Sequence, residues 1–147
     1  MSNVGLVPEL RITLPARQES MALMRHVLRG FREAYEIAPA TMDDIVLAVS
    51  EAATNSVVHA YGTRHGTVTL VARVVDDRHL HILVRDHGCG IQPPADTPAL
   101  GHGLALMEHV ASTLEIIGSP AGTDVLMTFR MDAEHDNPAP SDSGAAP

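Results

Sequence analysis

The stretch Ser50-Glu51-Ala52-Ala53-Thr54-Asn55-Ser56-Val57-Val58-His59-Ala60-Tyr61 constrains this chain more than any other. It reads as helix, and on a helix residues four apart share a face. Glu51, Asn55 and His59 therefore form one polar stripe, flanked by small or apolar residues (Ala48, Val49, Ala52, Val57, Val58) suited to a core. An acid and an amide one turn apart, among burial-prone neighbours, are costly unless something satisfies them. A magnesium-nucleotide would do so. The asparagine oxygen could coordinate Mg2+, and the glutamate could orient or deprotonate an attacking hydroxyl. Taken alone, such a pair is more often a solvated helix edge, so the rest of the chain decides.

Downstream, His79-Leu80-His81-Ile82-Leu83-Val84-Arg85-Asp86 reads as a strand by its β-branched and apolar content. It ends on Asp86 and runs into His87-Gly88-Cys89-Gly90-Ile91. A carboxylate at a strand end is well placed to accept from an exocyclic amine such as that of adenine. Gly88 and Gly90 allow backbone to approach a flat ring closely, although an ordinary tight turn has the same composition. In Leu100-Gly101-His102-Gly103-Leu104-Ala105-Leu106-Met107-Glu108-His109-Val110, a Gly-x-Gly precedes an apolar helical pattern. Free N–H groups at such a helix start would suit phosphate, and a hinge before a core helix is the plain alternative. Pro120-Ala121-Gly122-Thr123 reads as a turn into a last strand, with a hydroxyl that could still reach a ligand.

The remaining elements follow from period and punctuation. Leu10 to Leu14 reads as a first strand, and Arg17 to Tyr35 as a helix with Met21, Met24, Val27, Leu28 and Phe31 at near-helical spacing. Thr41 is the expected N-cap of a second helix, with Asp43 and Asp44 in its first turn, running to about Ala60. Thr67 to Val75 and His79 to Asp86 form a hairpin over Asp76-Asp77-Arg78. Strands near Leu114 to Ile117 and Asp124 to Met131 close the set. The fold class expected is α/β: a two-layer sandwich with a mixed, mainly antiparallel sheet and its helices on one face. Residues 1–131 form the domain, and residues 132–147, rich in Pro, Ala, Ser, Gly and Asp, form an acidic tail expected to be disordered.

These boxes, in this order and with these gaps, resemble the GHKL ATPases (gyrase, Hsp90, histidine kinases and MutL) over roughly residues 8–131. Within that superfamily the chain is most similar to the small anti-sigma factor serine-protein kinases. The carrying motif is Ser-Glu-Ala-x-Thr-Asn-x-x-x-His-Ala-Tyr, here Ser50 to Tyr61. The resemblance implies a Bergerat-type sandwich that takes ATP and Mg2+. It makes Asn55 the Mg2+ ligand and Glu51 the general base for a substrate serine or threonine. Asp86 would bind the adenine amine, with Gly88 and Gly90 shaping the base pocket. Gly101 and Gly103 would form the phosphate-facing end of the lid, Thr123 would support adenine, and His59 and Leu104 complete the nucleotide contacts. An arginine of the first helix often assists in these kinases. Arg25 is the candidate, with Arg29 one turn on, although surface arginines are common. The implied partners are a sigma factor and an anti-anti-sigma antagonist protein, and a homodimer stays open.

Glutamate at position 51 separates this chain from sensor histidine kinases, which usually carry asparagine there and a separate phosphoacceptor helix pair. One departure stands out: ten residues, Ile91 to Leu100, separate Gly90 from Gly101, and three of them are proline. The better-studied anti-sigma kinases have a longer lid, so an ATP-binding regulatory module without turnover is the alternative reading.

Composition narrows the rest. At 147 residues and 45% hydrophobic content the chain suits one domain, and with aromatics at 3% its core must be Val, Leu, Ile, Ala and Met. Net charge is −8, half of it from Asp132, Glu134, Asp136 and Asp142 of the tail, which argues against a nucleic-acid surface. No apolar run approaches the ~20 residues a membrane helix needs, and no signal pattern opens the chain. The single cysteine, Cys89, precludes an internal disulfide and fits a reducing cytoplasm. The nine histidines do not fall at zinc-site spacing.

Overall fold

The computed structural model describes residues 8–56, 66–76, 78–87 and 98–132, with the backbone alone for 98–102. The elements run β1 (Glu9–Pro15), α1 (Gln18–Tyr35), α2 (Pro39–Asn55), β2 (Thr67–Val75), β3 (His79–Asp86), α3 (Pro98–Val110), β4 (Thr113–Ser119) and β5 (Gly122–Arg130). The strands form one sheet in the order β1-β2-β3-β5-β4. Every neighbouring pair is antiparallel, so the sheet is not mixed. The two tight connections, β2 to β3 and β4 to β5, force antiparallel pairing there. The crossover through α3 then brings β5 beside β3 rather than beside a parallel neighbour.

Alternation along the strands sets the two faces. Leu70, Ala72 and Val74 of β2 lie opposite Val84, Ile82 and Leu80 of β3, and these in turn face Val125, Met127 and Phe129 of β5. All of these side chains are buried. Above them α1 contributes Met24, Leu28 and Phe31, spaced at three and four residues. Helix α2 lies between α1 and α3, which is why so many of its residues are buried, including Ile45, Ala48, Val49 and Ala52. The helices cover this single face, making the two-layer sandwich expected from the pattern.

The second helix starts earlier than Thr41. Pro39 takes its first turn, where a missing N–H costs nothing and φ is already helical. Ala38 is the N-cap residue, and its carbonyl accepts from the Met42 N–H at 2.9 Å. Thr41 is buried inside the helix instead. Residues 57–60, expected to continue this helix, lie outside the described residues, as do the 133–147 portion of the tail and Cys89.

On the open face of the sheet, Arg85 and its cross-strand neighbour Asp124 form a two-pronged ion pair, Nε to Oδ1 at 2.7 Å and Nη2 to Oδ2 at 2.8 Å. The guanidinium holds the Asp124 carboxyl below the usual carboxylate range. A carboxyl depressed in the folded state stabilises fully above its unfolded value and loses that contribution as pH falls through the folded one. Asp124→Asn should therefore cost up to about 1 kcal/mol at neutral pH, the scale of a half-exposed pair. The difference from the parent protein should shrink below about pH 4. Urea melts of both proteins at pH 7 and pH 3 measure this, and an equal gap at both would remove the pair from the account.

Candidate nucleotide site

Three elements converge at one end of the sheet's covered face. The inward row of β3 (Leu80, Ile82, Val84) continues to Asp86, so a carboxylate occupies the next core-facing position. Directly across the strand pair stands Thr123 of β5. Both residues are 2% exposed. The Thr123 N–H donates to Asp86 Oδ1 at 3.2 Å. Over Oδ2 lies Ser56, whose hydroxyl oxygen is 3.4 Å away. Ser56 closes α2, and its N–H still donates to the Ala52 and Ala53 carbonyls. The C-terminal end of α2 therefore sits above the C-terminal end of β3.

Gly122 permits this junction. Its φ is +145°, and a Cβ there would fall 2.0 Å from the Asp86 carbonyl oxygen. Only glycine combines that backbone angle with so close an approach. It is already part of β5, so the strand begins two residues earlier than Asp124 and carries Thr123 within it.

One residue before Ser56, Asn55 is 9% exposed, and its amide has no hydrogen-bond partner among the described residues. Glu51, one turn earlier, is half-buried. The two side chains meet at Gly103 of α3. A Cβ on Gly103 would lie 3.1 Å from Glu51 Oε2 and 3.3 Å from Asn55 Nδ2. Here the structure departs from the expected helix start. Helix α3 begins at Pro98, so Gly101 and Gly103 lie inside it rather than ahead of it. Gly103, in sixth place, is past the first turn, where the unpaired N–H groups are. Glycine inside a helix costs about 1 kcal/mol relative to alanine. The close packing of α3 on Glu51 and Asn55 favours it here, since those side chains would have to give by a few tenths of an ångström to admit a Cβ. Leu104 follows, half-buried.

The other expected site residues divide. Arg25 is exposed on α1. Its helix runs beside the end of α2, since the Thr54 hydroxyl reaches Met21 Sδ at 3.5 Å, and Arg25 stands one turn beyond Met21. It makes no ion pair with Glu51. His59, Gly88 and Gly90 lie outside the described residues. Ser56 was not expected from the sequence at all. Its only signal there is a hydroxyl directly after Asn55, and nothing local says that it meets Asp86, thirty residues on.

Known proteins resemble this chain in sequence and in fold. The profile of the histidine kinase-like ATPase domain matches residues 14–129. An anti-sigma F factor of Clostridium acetobutylicum is 28% identical over 131 residues, covering 81% of this chain and 91% of the relative. A serine-protein kinase RsbW of Bacillus mycoides is 30% identical over 135 residues, covering 82% and 83%. Among solved structures, the RsbU and RsbW domains of a Mycobacterium tuberculosis protein superpose with a TM-score of 0.70 at 28% identity. That match covers 84% of this chain and 32% of the longer one. With its fold and its sequence both matching, the chain belongs to the histidine kinase-like ATPase domain family, alongside anti-sigma factors and RsbW-type serine-protein kinases.

Proposed function

We propose that this chain is an ATP-dependent serine/threonine protein kinase acting as an anti-sigma factor, which holds a sigma factor and phosphorylates an antagonist protein. The observation that carries the proposal is the meeting of Glu51 and Asn55 at one point on α3, on a helix whose next residue, Ser56, lies 3.4 Å from the buried carboxylate of Asp86. The donor set fits Mg2+-ATP. Asn55 offers an unclaimed amide oxygen at the rim of the site, and Asp86 offers a buried acceptor at its floor. Among the described residues no three His, Cys, Asp or Glu side chains gather into a metal cage. This suits an ion held chiefly by phosphates and water, with one protein oxygen. Bound Mg2+-ATP would supply the transferable phosphoryl group and the charge neutralisation for its transfer.

The chain's own residues would act as follows. Asp86 accepts from the exocyclic amine, Thr123 fixes the carboxylate from behind, and Asn55 supplies the metal ligand. Glu51 would take the proton of the incoming serine or threonine hydroxyl. Gly101, Gly103 and Leu104 line the approach from α3. Arg25, exposed on α1, would assist the transfer or meet a protein partner, and His59, Gly88 and Gly90 would complete the nucleotide contacts. Among the described residues no helix is long and apolar enough to cross a membrane, and the proposed reaction belongs to the cytoplasm, where sigma factors work. The direct test is incubation with labelled ATP, Mg2+ and the candidate antagonists of the same genome. Label on a serine or threonine of one of them is expected; binding of ATP with no transfer to any would favour a regulatory module without turnover. That second reading has one observation behind it: with α3 starting at Pro98, only residues 91–97 remain between Gly90 and the helix.

Gly103 gives a sharper prediction. Alanine there gains about 1 kcal/mol of helix propensity and loses about 1–3 kcal/mol to overpacking, so the melting temperature should hold or fall by up to several degrees. The displacement falls on Glu51 and Asn55. Gly103→Ala should weaken Mg2+-dependent ATP binding about tenfold, the equivalent of roughly 1.4 kcal/mol. Titrations with ATP in Mg2+ and in a chelator read it. Unchanged affinity in Mg2+ would mean that the two side chains have room to give way.

A further inference from the structure

We infer that Ser56 is a second base-reading residue, whose hydroxyl pairs with the Asp86 carboxylate as donor beside acceptor to recognise the edge of a 6-aminopurine. The inference rests on the nucleotide reading above and adds to it a donor that discriminates the ring as well as its amine. Ser56 is 4% exposed. Its hydroxyl carries one hydrogen and stands between two acceptors, the Ala52 carbonyl at 3.1 Å and Asp86 Oδ2 at 3.4 Å. The first is the back-bond common to a helical serine. Ala52's carbonyl also receives Ser56's own N–H, so it is not orphaned when the hydroxyl turns away.

The Thr123 N–H holds Oδ1, and this orients the carboxylate. Oδ2 is then the oxygen shared between Ser56 and an arriving ligand. An amine that donates to Oδ2 replaces the serine hydrogen there and releases it. On adenine the atom next to the amino-bearing carbon is N1, a bare acceptor. Oγ and Oδ2, side by side at 3.4 Å, present the complementary pattern, acceptor for the amine and donor for N1. A site that hydrogen-bonds a ligand atom rejects the analogue lacking it, because its buried polar group is then left unpaired.

The test is calorimetric titration of the full chain, in Mg2+, with ATP and with 1-deaza-ATP, in which N1 is replaced by C–H. The parent protein should prefer ATP about tenfold, the worth of one such hydrogen bond. Ser56→Ala should bind both nucleotides equally, through loss of ATP affinity alone. Ser56→Cys, which keeps the shape in a slightly larger side chain with a far weaker donor, should behave in the same way, and melting curves establish that both variants fold. A parent protein that binds ATP with no preference over 1-deaza-ATP overturns the inference and leaves the Asp86 assignment standing. So does Ser56→Ala weakening both nucleotides by the same factor, which is the mark of packing alone. A parent protein that binds neither overturns the nucleotide reading and this inference together.

Discussion

Glu51→Ala is expected to keep ATP bound at close to the parent affinity and to slow phosphotransfer about 10²–10⁴-fold, the usual worth of a lost general base. Position and exposure both support the separation. Glu51 is half-buried at the mouth of the site, a full turn of helix before Asn55 and further still from the Asp86–Thr123 floor, so its removal leaves the nucleotide contacts in place. The cut side chain faces Gly103, which has nothing to collapse into the gap, and no buried partner is orphaned. Stability should therefore stay within about 0.5 kcal/mol, as for other substitutions away from core features. The check is a single-turnover assay with labelled ATP beside an equilibrium titration. Equal transfer rates for parent and variant would remove Glu51 from the chemistry. Parallel loss of binding and transfer would instead make it a ligand contact.

The part of this site that the sequence exposes is the part carried by single elements. Glu51 and Asn55 share a face of one helix, and helical period alone puts them together. Asp86 is visible as the acid that ends an apolar strand. The β2–β3 hairpin, the gathering of the helices on one face and the run of the first helix are legible for the same reason, since local period and turn residues determine them. What escapes is whatever depends on register between distant segments. No local pattern says that Asp86 pairs with Thr123, that Arg85 pairs with Asp124, or that Ser56 comes down on Oδ2. Each of these joins residues at least thirty positions apart, and a one-residue slip would turn every side chain of the strand to the other face. Gly101-His102-Gly103 misleads for a related reason. Local propensity favours glycine ahead of a helix, whereas packing of α3 on two polar side chains favours it within one, and tertiary packing prevails. Pro39 shows a choice between two valid local signals, where proline at a first turn outranks the capping threonine two residues on.

Asp86→Asn should weaken ATP binding roughly 100-fold, in line with loss of a hydrogen bond to a charged group worth up to about 3 kcal/mol. The two residues have nearly the same shape, so the cavity is kept and the change is one of polarity. The amide oxygen can still take the Thr123 N–H where Oδ1 does now. That choice fixes the amide nitrogen over Ser56 and the ligand, in the place of Oδ2. A donor then faces the donor of the exocyclic amine, and the two repel instead of pairing. Folding should not suffer. The carboxylate is 2% exposed, and a neutral amide in its place relieves the cost of burying charge. The melting temperature should hold or rise while affinity falls, the usual trade at a site kept for binding and not for stability. Calorimetry on a variant that melts normally decides the matter. Undiminished ATP affinity would take the adenine contact away from Asp86. A variant that fails to fold would show that the carboxylate anchors the β3–β5 junction before it reads any base.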